Sequence, residues 1–390
     1  MSKASTIELG ELMASKSGSV DPANYPDEIF DLYSIPAFDS GHPEIVPGRA
    51  IGSAKQVVKV GDVLLSRIVP HIRRSWIVSN GSDRRTIASG EWIVFRSDRV
   101  SPSYLRHVLV GDLFHSEFMR TVTGVGGSLL RARPAYVAKI KIPLPSMAEQ
   151  HRIADMLDRA EALRAKRRAG LAQLDTLTQS IFLDLFGDPA KSGKNWPQVR
   201  LGEVTELVTG YPFRSEEYIA AGEIVKLCRG ANILPKRLDW SDLACWPSSR
   251  VPEVSGFSLS EGDVLLAMDR PWISEGLKVA QVAAADLPAL LVQRVARLRS
   301  KNGLSNEFIF QLLNQPSFTR HCRPTETTVP HISPTDIRSF TFHLPPESLQ
   351  RDFVRRIAQI DELRNVCRAS LTRMDGLFAT LQHGAFRGEL

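Results

Sequence analysis

Apolar residues fall on a three-to-four spacing along two long stretches of the chain. In the first they are Ile153, Leu157, Ala160, Leu171, Leu174, Ile181 and Leu185. In the second they are Phe353, Ile357, Ile360, Cys367, Leu371, Met374, Phe378, Leu381 and Ala385. Spacing of this kind, sustained over about five heptads, predicts helices that pair as a coiled coil. Pro143 and Pro145 stop the first helix from extending upstream, Pro345 and Pro346 stop the second, and Gly187-Asp188-Pro189 ends the first. At 1.5 Å per residue, about 40 residues make a helix of about 60 Å.

Ahead of each long helix the pattern changes to short apolar runs between Gly, Ser and Asp turns. Runs at 57–58, 63–65, 77–78 and 92–95 predict strands in the first half, and runs at 224–227, 264–267, 277–279 and 290–298 in the second. Helices are expected at 103–121 and 305–320, the latter opened by Ser305 as N-cap. A polar loop follows each, then a strand running into Leu-Pro, at 137–144 and 337–344. Residues 189–197 are short of apolar groups, rich in turn formers, and read as a linker.

The two halves are copies. Aligned at an offset of 200, residues 144–188 and 344–388 share eleven of 45 positions without a gap, among them Gln150, Leu163, Arg164, Arg168, Asp175, Leu177 and Phe186. GDVLL recurs at 61–65 and 262–266, and LGE at 9–11 and 201–203. The offset drifts at the front of each half and is constant at the rear. The expected fold is therefore α+β, a tandem repeat of two mixed α/β domains, each followed by a long helix.

Length and composition fit that reading. At roughly 100–200 residues per domain, 390 residues make two or three domains, and 43% apolar content suffices for buried cores. No run reaches 18 apolar residues and residues 1–18 lack the apolar core of a signal peptide, so membrane spanning and secretion are not expected. Cys228, Cys245, Cys322 and Cys367 form no CxxC pair, which argues against a disulfide framework or a four-Cys zinc site and fits a cytoplasmic protein. The formal net charge of +6 is unevenly placed: residues 65–139 carry 12 Lys/Arg against 5 Asp/Glu, while 199–343 carry 16 of each sign. A concentrated basic region is the electrostatic footprint of a phosphate-binding surface.

Catalytic motifs are missing. There is no GxxxxGK[ST] loop, no GxGxxG opening a helix, no HExxH and no GxSxG, and the Gly-rich segment at 123–128 lacks the lysine of a nucleotide loop. The nine histidines are dispersed. Binding is expected rather than catalysis, with no cofactor and no metal. DNA recognition needs Arg and Lys for phosphates, and Arg, Lys, Asn, Gln or His in loops that reach base edges. Candidates in the first half are Arg67, His71, Arg73, Arg74, Arg131 and Arg133. In the second they are Lys226, Arg229, Asn232, Arg270, Lys278 and His331, with His331 aligned to Arg131.

The whole chain resembles the DNA-specificity subunits of type I restriction–modification systems. The resemblance is carried by LPSMAEQHRIADMLDRAEALRAKRR at 144–168 and its echo LPPESLQRDFVRRIAQIDELRNVCR at 344–368. GDVLLSRIVPHIRR at 61–74 and TGVGGSLLRARPA at 123–135 are similar to one type of target recognition domain, and LGEVTELVTGYPFRS at 201–215 and TTVPHISPTDI at 327–337 to another. The resemblance implies recognition domains at 1–145 and 199–345, long helices at 146–188 and 346–390 packed as an antiparallel spacer, and a linker at 189–198. Each domain would read one half of a split sequence in double-stranded DNA. Partners implied are two methyltransferase subunits and the nuclease/translocase subunits, which would hold S-adenosylmethionine, ATP and magnesium. Arg164, Arg168 and Asp175, with their equivalents Arg364, Arg368 and Asp375, are candidate partner contacts; alternatively they link the two helices or face solvent. The Gly-rich loop has no counterpart in the second half, where Pro324-Thr325-Glu326 stands opposite Gly124-Val125-Gly126. The two domains are thus expected to read different half-sites. A coiled-coil scaffold without DNA would explain the helices but not the duplicated basic loops, and no catalytic set supports a standalone nuclease or methyltransferase.

Overall fold

The computed structural model describes residues 5–14, 18–79, 83–124, 130–191, 195–220, 222–301, 304–322 and 330–389. The Gly-rich loop at 125–128 and the segment 324–326 opposite it lie outside these residues. The chain divides into two compact units, the first made of Met1–Ala169 with Cys367–Leu390, the second of Gly170–Val366.

Both long helices form where the apolar spacing and the prolines place them, over Met147–Phe186 and Glu347–Arg387. Gly187 ends the first with φ +70°, its N–H bonded to the Leu183 carbonyl at 2.8 Å, a left-handed cap that glycine adopts without steric cost. Each helix is divided between the units. Within the first unit, Arg164 of one helix meets Asp375 of the other; within the second, Arg364 meets Asp175. Ile153 and Leu157 share a core with Phe386 in the first unit and Phe182 meets Phe353 in the second, so the helix segments in each unit run antiparallel, and the two ion pairs are the same contact with the helices exchanged.

Each unit is closed by one short antiparallel pair. Thr6–Glu8 pairs with Lys141–Pro143, Ile7 opposite Ile142, and Gln198–Arg200 pairs with Thr341–His343, Val199 opposite Phe342. The LGE echo follows each first strand. Leu9 and Leu201 are fully buried and donate their N–H groups to the carbonyls of Ile140 and Phe340. The adjacent glycines are required for that approach, since a Cβ on Gly10 would stand 3.1 Å from the Ala138 carbonyl oxygen, and one on Gly202 2.9 Å from the Arg338 Cβ.

In the first unit Val63–Ser66 is the middle strand of an antiparallel sheet between Ser75–Ile77 and Trp92–Phe95. A second, mixed sheet is ordered Ser19–Val20, Lys55–Val57, Arg85–Ala88, Ile29–Tyr33, Glu44–Pro47. The second unit sets Val264–Ala267 between Val295–Ser300 and Val279–Gln281, with Thr205–Thr209 at the edge. A three-stranded sheet of Cys245–Pro247, Ile224–Cys228 and Ala289–Leu291 lies apart from it in the ladder.

Several expectations change. The helix expected at 103–121 is two, Pro102–Val110 and Asp112–Met119, because Gly111 is extended at ψ 153°. That at 305–320 breaks before Pro316 into Asn306–Leu313 and Pro316–His321. Strand 290–298 is likewise two, parted by a turn in which Arg294 has φ +68°. The strands expected at 137–144 and 337–344 shorten to three residues each. Short helices, Pro134–Val137 and Pro334–Ser339, take the preceding stretch, with proline in the first turn of each.

The cores explain the helical pattern. Ile153, Leu157 and Phe386 pack with Leu9, Val63, Phe95, Tyr104 and Ile142 in the first unit. Phe182, Phe186 and Phe353 pack with Phe308 in the second, ring centroids 5.0–5.7 Å apart. Gln150 and Gln350, identical in the repeat, do the same work in each copy. Gln150 accepts from the Ser101 N–H and donates to the Pro145 carbonyl; Gln350 accepts from Ser305 and donates to Pro345.

Candidate nucleic-acid interface

The GDVLL echo builds one device twice. Gly61 and Gly262 turn the chain with φ of +86° and +83°. Asp62 and Asp263, each 1% exposed, then take a guanidinium fork. Asp62 accepts from Arg96 Nε and Nη2 at 2.7 and 2.6 Å, and Asp263 from Arg299 at 2.5 and 2.9 Å. Each carboxylate also accepts a backbone N–H at 2.8 Å, from Lys59 or Ser260. Hydrogen bonding to the aspartate raises the pKa of both arginines. Two-point, charge-assisted bonds of this kind fix direction as well as position, and they anchor the strand whose far end leads into the loops described next.

Those loops share three backbone hydrogen bonds. In the first unit the Val69 N–H donates to the Leu130 carbonyl, Ala132 to Arg67, and Arg67 to Glu91. In the second, Arg270 donates to Pro330, Ile332 to Met268, and Met268 to Arg294. Arg131 and His331 therefore occupy equivalent places, as the offset of 200 predicts, paired across to Ile68 and Asp269. Side chains on this common frame differ. In the first unit Glu91 accepts from Arg67 Nε at 2.9 Å and lies 3.3 Å from Arg131 Nη2. Burial opposes ionisation of Glu91, but hydrogen bonds and charge from Arg131 and Arg67 outweigh it and hold its pKa below the usual glutamate value. In the second unit the carboxylate stands at Asp269, which accepts from His331 Nδ1 at 2.6 Å and lies 3.5 Å from Arg294 Nε. Two basic side chains lean on one acid in each loop cluster.

The other candidates divide by exposure. Arg73 caps the end of Pro102–Val110, donating to the Val110 carbonyl at 3.1 Å and to Asp112 at 2.6 Å. Arg74 pairs with Asp39, and Arg133 donates to Thr123 Oγ1. Lys226 donates to the Ala285 carbonyl from over the Trp240 ring. Arg229 pairs with Asp242. Two residues need correction as contacts. Asn232, 1% exposed, accepts from the Arg229 N–H and donates to the carbonyls of Asp239 and Asp242, so its amide closes a turn. Lys278 is buried with its ammonium on the Gly230 carbonyl, and burial pushes its pKa down. His71 and Arg270 are exposed and make no side-chain hydrogen bond or ion pair among the described residues.

The repeated polar positions on the long helices join helix to helix. Arg164 Nε donates to Asp375 at 2.6 Å with its guanidinium 4.3 Å from the Phe378 ring centroid, and Arg168 reaches the same carboxylate at 3.1 Å. Arg364 is 3.1 Å from Asp175 and also engages Asp361 and Thr178. Of the alternatives open for these positions, the bond between helices is the one observed; Arg368 is exposed. His107, Asp158 and Glu161 bring three ligand-type atoms within 4.8 Å of one another. Arg106 Nη2 already lies 3.0 Å from Asp158 and 2.6 Å from Glu161, so the cation among these acids is the guanidinium.

Glu91, Asp269, Arg294 and Val69 were not among the sequence candidates. One signal could have found the loops: Pro70 and Pro271 follow the GDVLL glycines at the same distance.

Comparisons with known proteins bear on this site. Residues 193–370 match the family model of the type I restriction modification DNA specificity domain. The chain is 35% identical over 181 residues to the type I restriction enzyme EcoAI specificity subunit of Escherichia coli, covering 46% of this chain and 30% of that one. It is 26% identical over 246 residues to the MjaVIII specificity subunit of Methanocaldococcus jannaschii, covering 59% and 57%. The chain thus spans less than two thirds of the length of these relatives. Among solved structures, a chain from a study of complex assembly and conformational transition in the type I R-M system is similar at a TM-score of 0.60 and 21% identity, covering 100% of this chain and 99% of that one. The S subunit of a type I system from M. genitalium is similar at a TM-score of 0.54 and 11% identity, covering 98% and 96%. At these identities the structural likeness is one of fold.

Proposed function

We propose that this chain, whose residues 193–370 match the family model of the type I restriction modification DNA specificity domain, belongs to that family, reads a two-part sequence in double-stranded DNA and performs no chemistry of its own. The observation that carries the proposal is the pair of loop clusters. One backbone frame, with the same cross-bonds, presents Arg67, Val69, Glu91 and Arg131 in one unit and Asp269, Arg270, Arg294 and His331 in the other. A common frame with different side chains suits two readers of different half-sites. Residues 1–145 and 199–345 are the proposed recognition domains, 146–188 and 346–390 the paired helices, and 189–198 the linker. Partners are two methyltransferase subunits, since a duplicated chain offers each partner surface twice, and the nuclease/translocase subunits of the same system. Cofactors for modification and translocation belong to those chains. Phosphate attraction comes mainly from the first domain, where the positive charge is concentrated.

A map of methylated adenines across the host genome, with and without the gene, tests the proposal. A split motif that disappears on deletion supports it. An unchanged map in a strain that expresses the gene and its methyltransferase partner counts against it.

A further inference from the structure

Val69 and Arg270 hold φ of +47° and +45°, each directly before a proline, Pro70 and Pro271. A left-handed backbone is uncommon for any residue with a Cβ and an outlier for a β-branched one such as valine. Strain of this kind persists only where the surroundings over-determine it, and it concentrates at sites that contact ligands. The backbone bonds that hold the residue are shared by both units. The strained residue donates its N–H across to Leu130 or Pro330, and the residue two before it accepts from Ala132 or Ile332. Glycine would occupy either position without strain. Both loops instead carry a side chain there.

The charges around Arg270 leave it unneutralised. Asp269, its neighbour in the chain, already receives His331 and stands beside Arg294. Arg270 itself is exposed and has no side-chain hydrogen bond or ion pair among the described residues, so it gives up no internal bond on meeting a ligand. We infer that the left-handed residue of each Xaa-Pro loop is the base-reading position of its unit, with Arg270 taking a guanine and Val69 the methyl group of a thymine. The inference rests on the DNA-reading function proposed above. A guanidinium offers paired N–H donors that match guanine O6 and N7 in the major groove, and an apolar side chain contacts the thymine C5 methyl. The matching backbone bonds place the two side chains at corresponding points of two frames, so one loop geometry serves two base chemistries.

The test is selection of bound duplexes from a random-sequence DNA pool by the full chain in complex with its methyltransferase subunits. The native chain is compared with Arg270→Gly, Arg270→Lys and Val69→Ala. Glycine accepts φ +45°, so Arg270→Gly removes the side chain and keeps the loop. The expected result is loss of preference at one guanine in one half of the selected sequence, by roughly 5- to 100-fold, with the other half unchanged. Arg270→Lys should restore part of that preference, and Val69→Ala should weaken one thymine in the opposite half. An unchanged guanine preference in Arg270→Gly overturns the inference. So does an equal loss on all sequences with a salt slope smaller by about 1, which is the mark of a phosphate contact. If the native complex selects no split sequence, the DNA-reading function itself falls, and that outcome is told apart by the native control alone.

Discussion

Asp62 and Asp263 are carboxylates with almost no exposure, and such a group is tolerated only when paired and fully bonded. Each has that environment in its arginine fork and one backbone N–H. Asp62→Asn or Asp263→Asn leaves a guanidinium without its counter-charge, and we expect a loss on the order of 3 kcal/mol in urea unfolding, confined to the unit that carries the change. His107 supplies a second test. Its ring is fully buried, Nε2 lies 2.8 Å from Asp158, Nδ1 has no hydrogen-bond partner among the described residues, and Arg106, Glu161 and Phe378 stand around it. Burial first, then the Arg106 charge, holds its pKa below the ordinary histidine value. The unfolded chain therefore takes a proton near pH 6.5 that the folded chain refuses, so stability is full above about pH 6.5 and falls as the pH drops toward the folded-state pKa. His107→Gln should flatten the change in urea midpoint of the first unit between about pH 7 and pH 5 relative to the native chain. A variant that titrates like the native chain would assign that dependence elsewhere. Residue identity alone misleads at this scale: Asn232 and Lys278 have the chemistry of base readers, and the folded chain uses them to close a turn and to satisfy a carbonyl.

Periodicity made the two long helices legible to within one to three residues at each end, because prolines mark both starts and Gly187 marks the end of the first. Shorter elements were read less well. The break at Gly111 depends on a single extended residue, and Pro134 and Pro334 start helical turns where a polar loop running into a strand was expected. The paired positions Arg164, Asp175, Arg364 and Asp375 were visible as repeats, but their partners were not, since the contact joins residues 211 apart. A double-mutant cycle on Arg164 and Asp375 should return a coupling of about 1 kcal/mol, with a value near zero excluding a stabilising role. Core contributions are larger. Phe182 is fully buried among Phe186, Phe308 and Phe353, and Phe182→Ala should cost about 3–5 kcal/mol by thermal or urea unfolding of the second unit. At the equivalent place Gln382 donates instead to the His107 carbonyl, so Gln382→Ala should cost far less.

At the level of the whole molecule, the tandem repeat was legible from LGE, GDVLL and the Leu-Pro entries, and the folded chain gives each of these echoes one structural role in both copies. What repetition could not reveal is how the chain is shared out. The first unit takes Phe378, Leu381, Ala385 and Phe386 from the second long helix into its core, while the second unit is one uninterrupted stretch, Gly170–Val366. Deleting 367–389 should therefore expose the first unit to hydrogen exchange and proteolysis while the second keeps its protection. Equal loss in both would contradict the division. The same division sets an order during synthesis. A ribosome delivers the front of the first unit early, yet the side chains that close its core emerge more than two hundred residues later. The second unit, begun later, has all of its chain first, so the half made first is the half that finishes folding last.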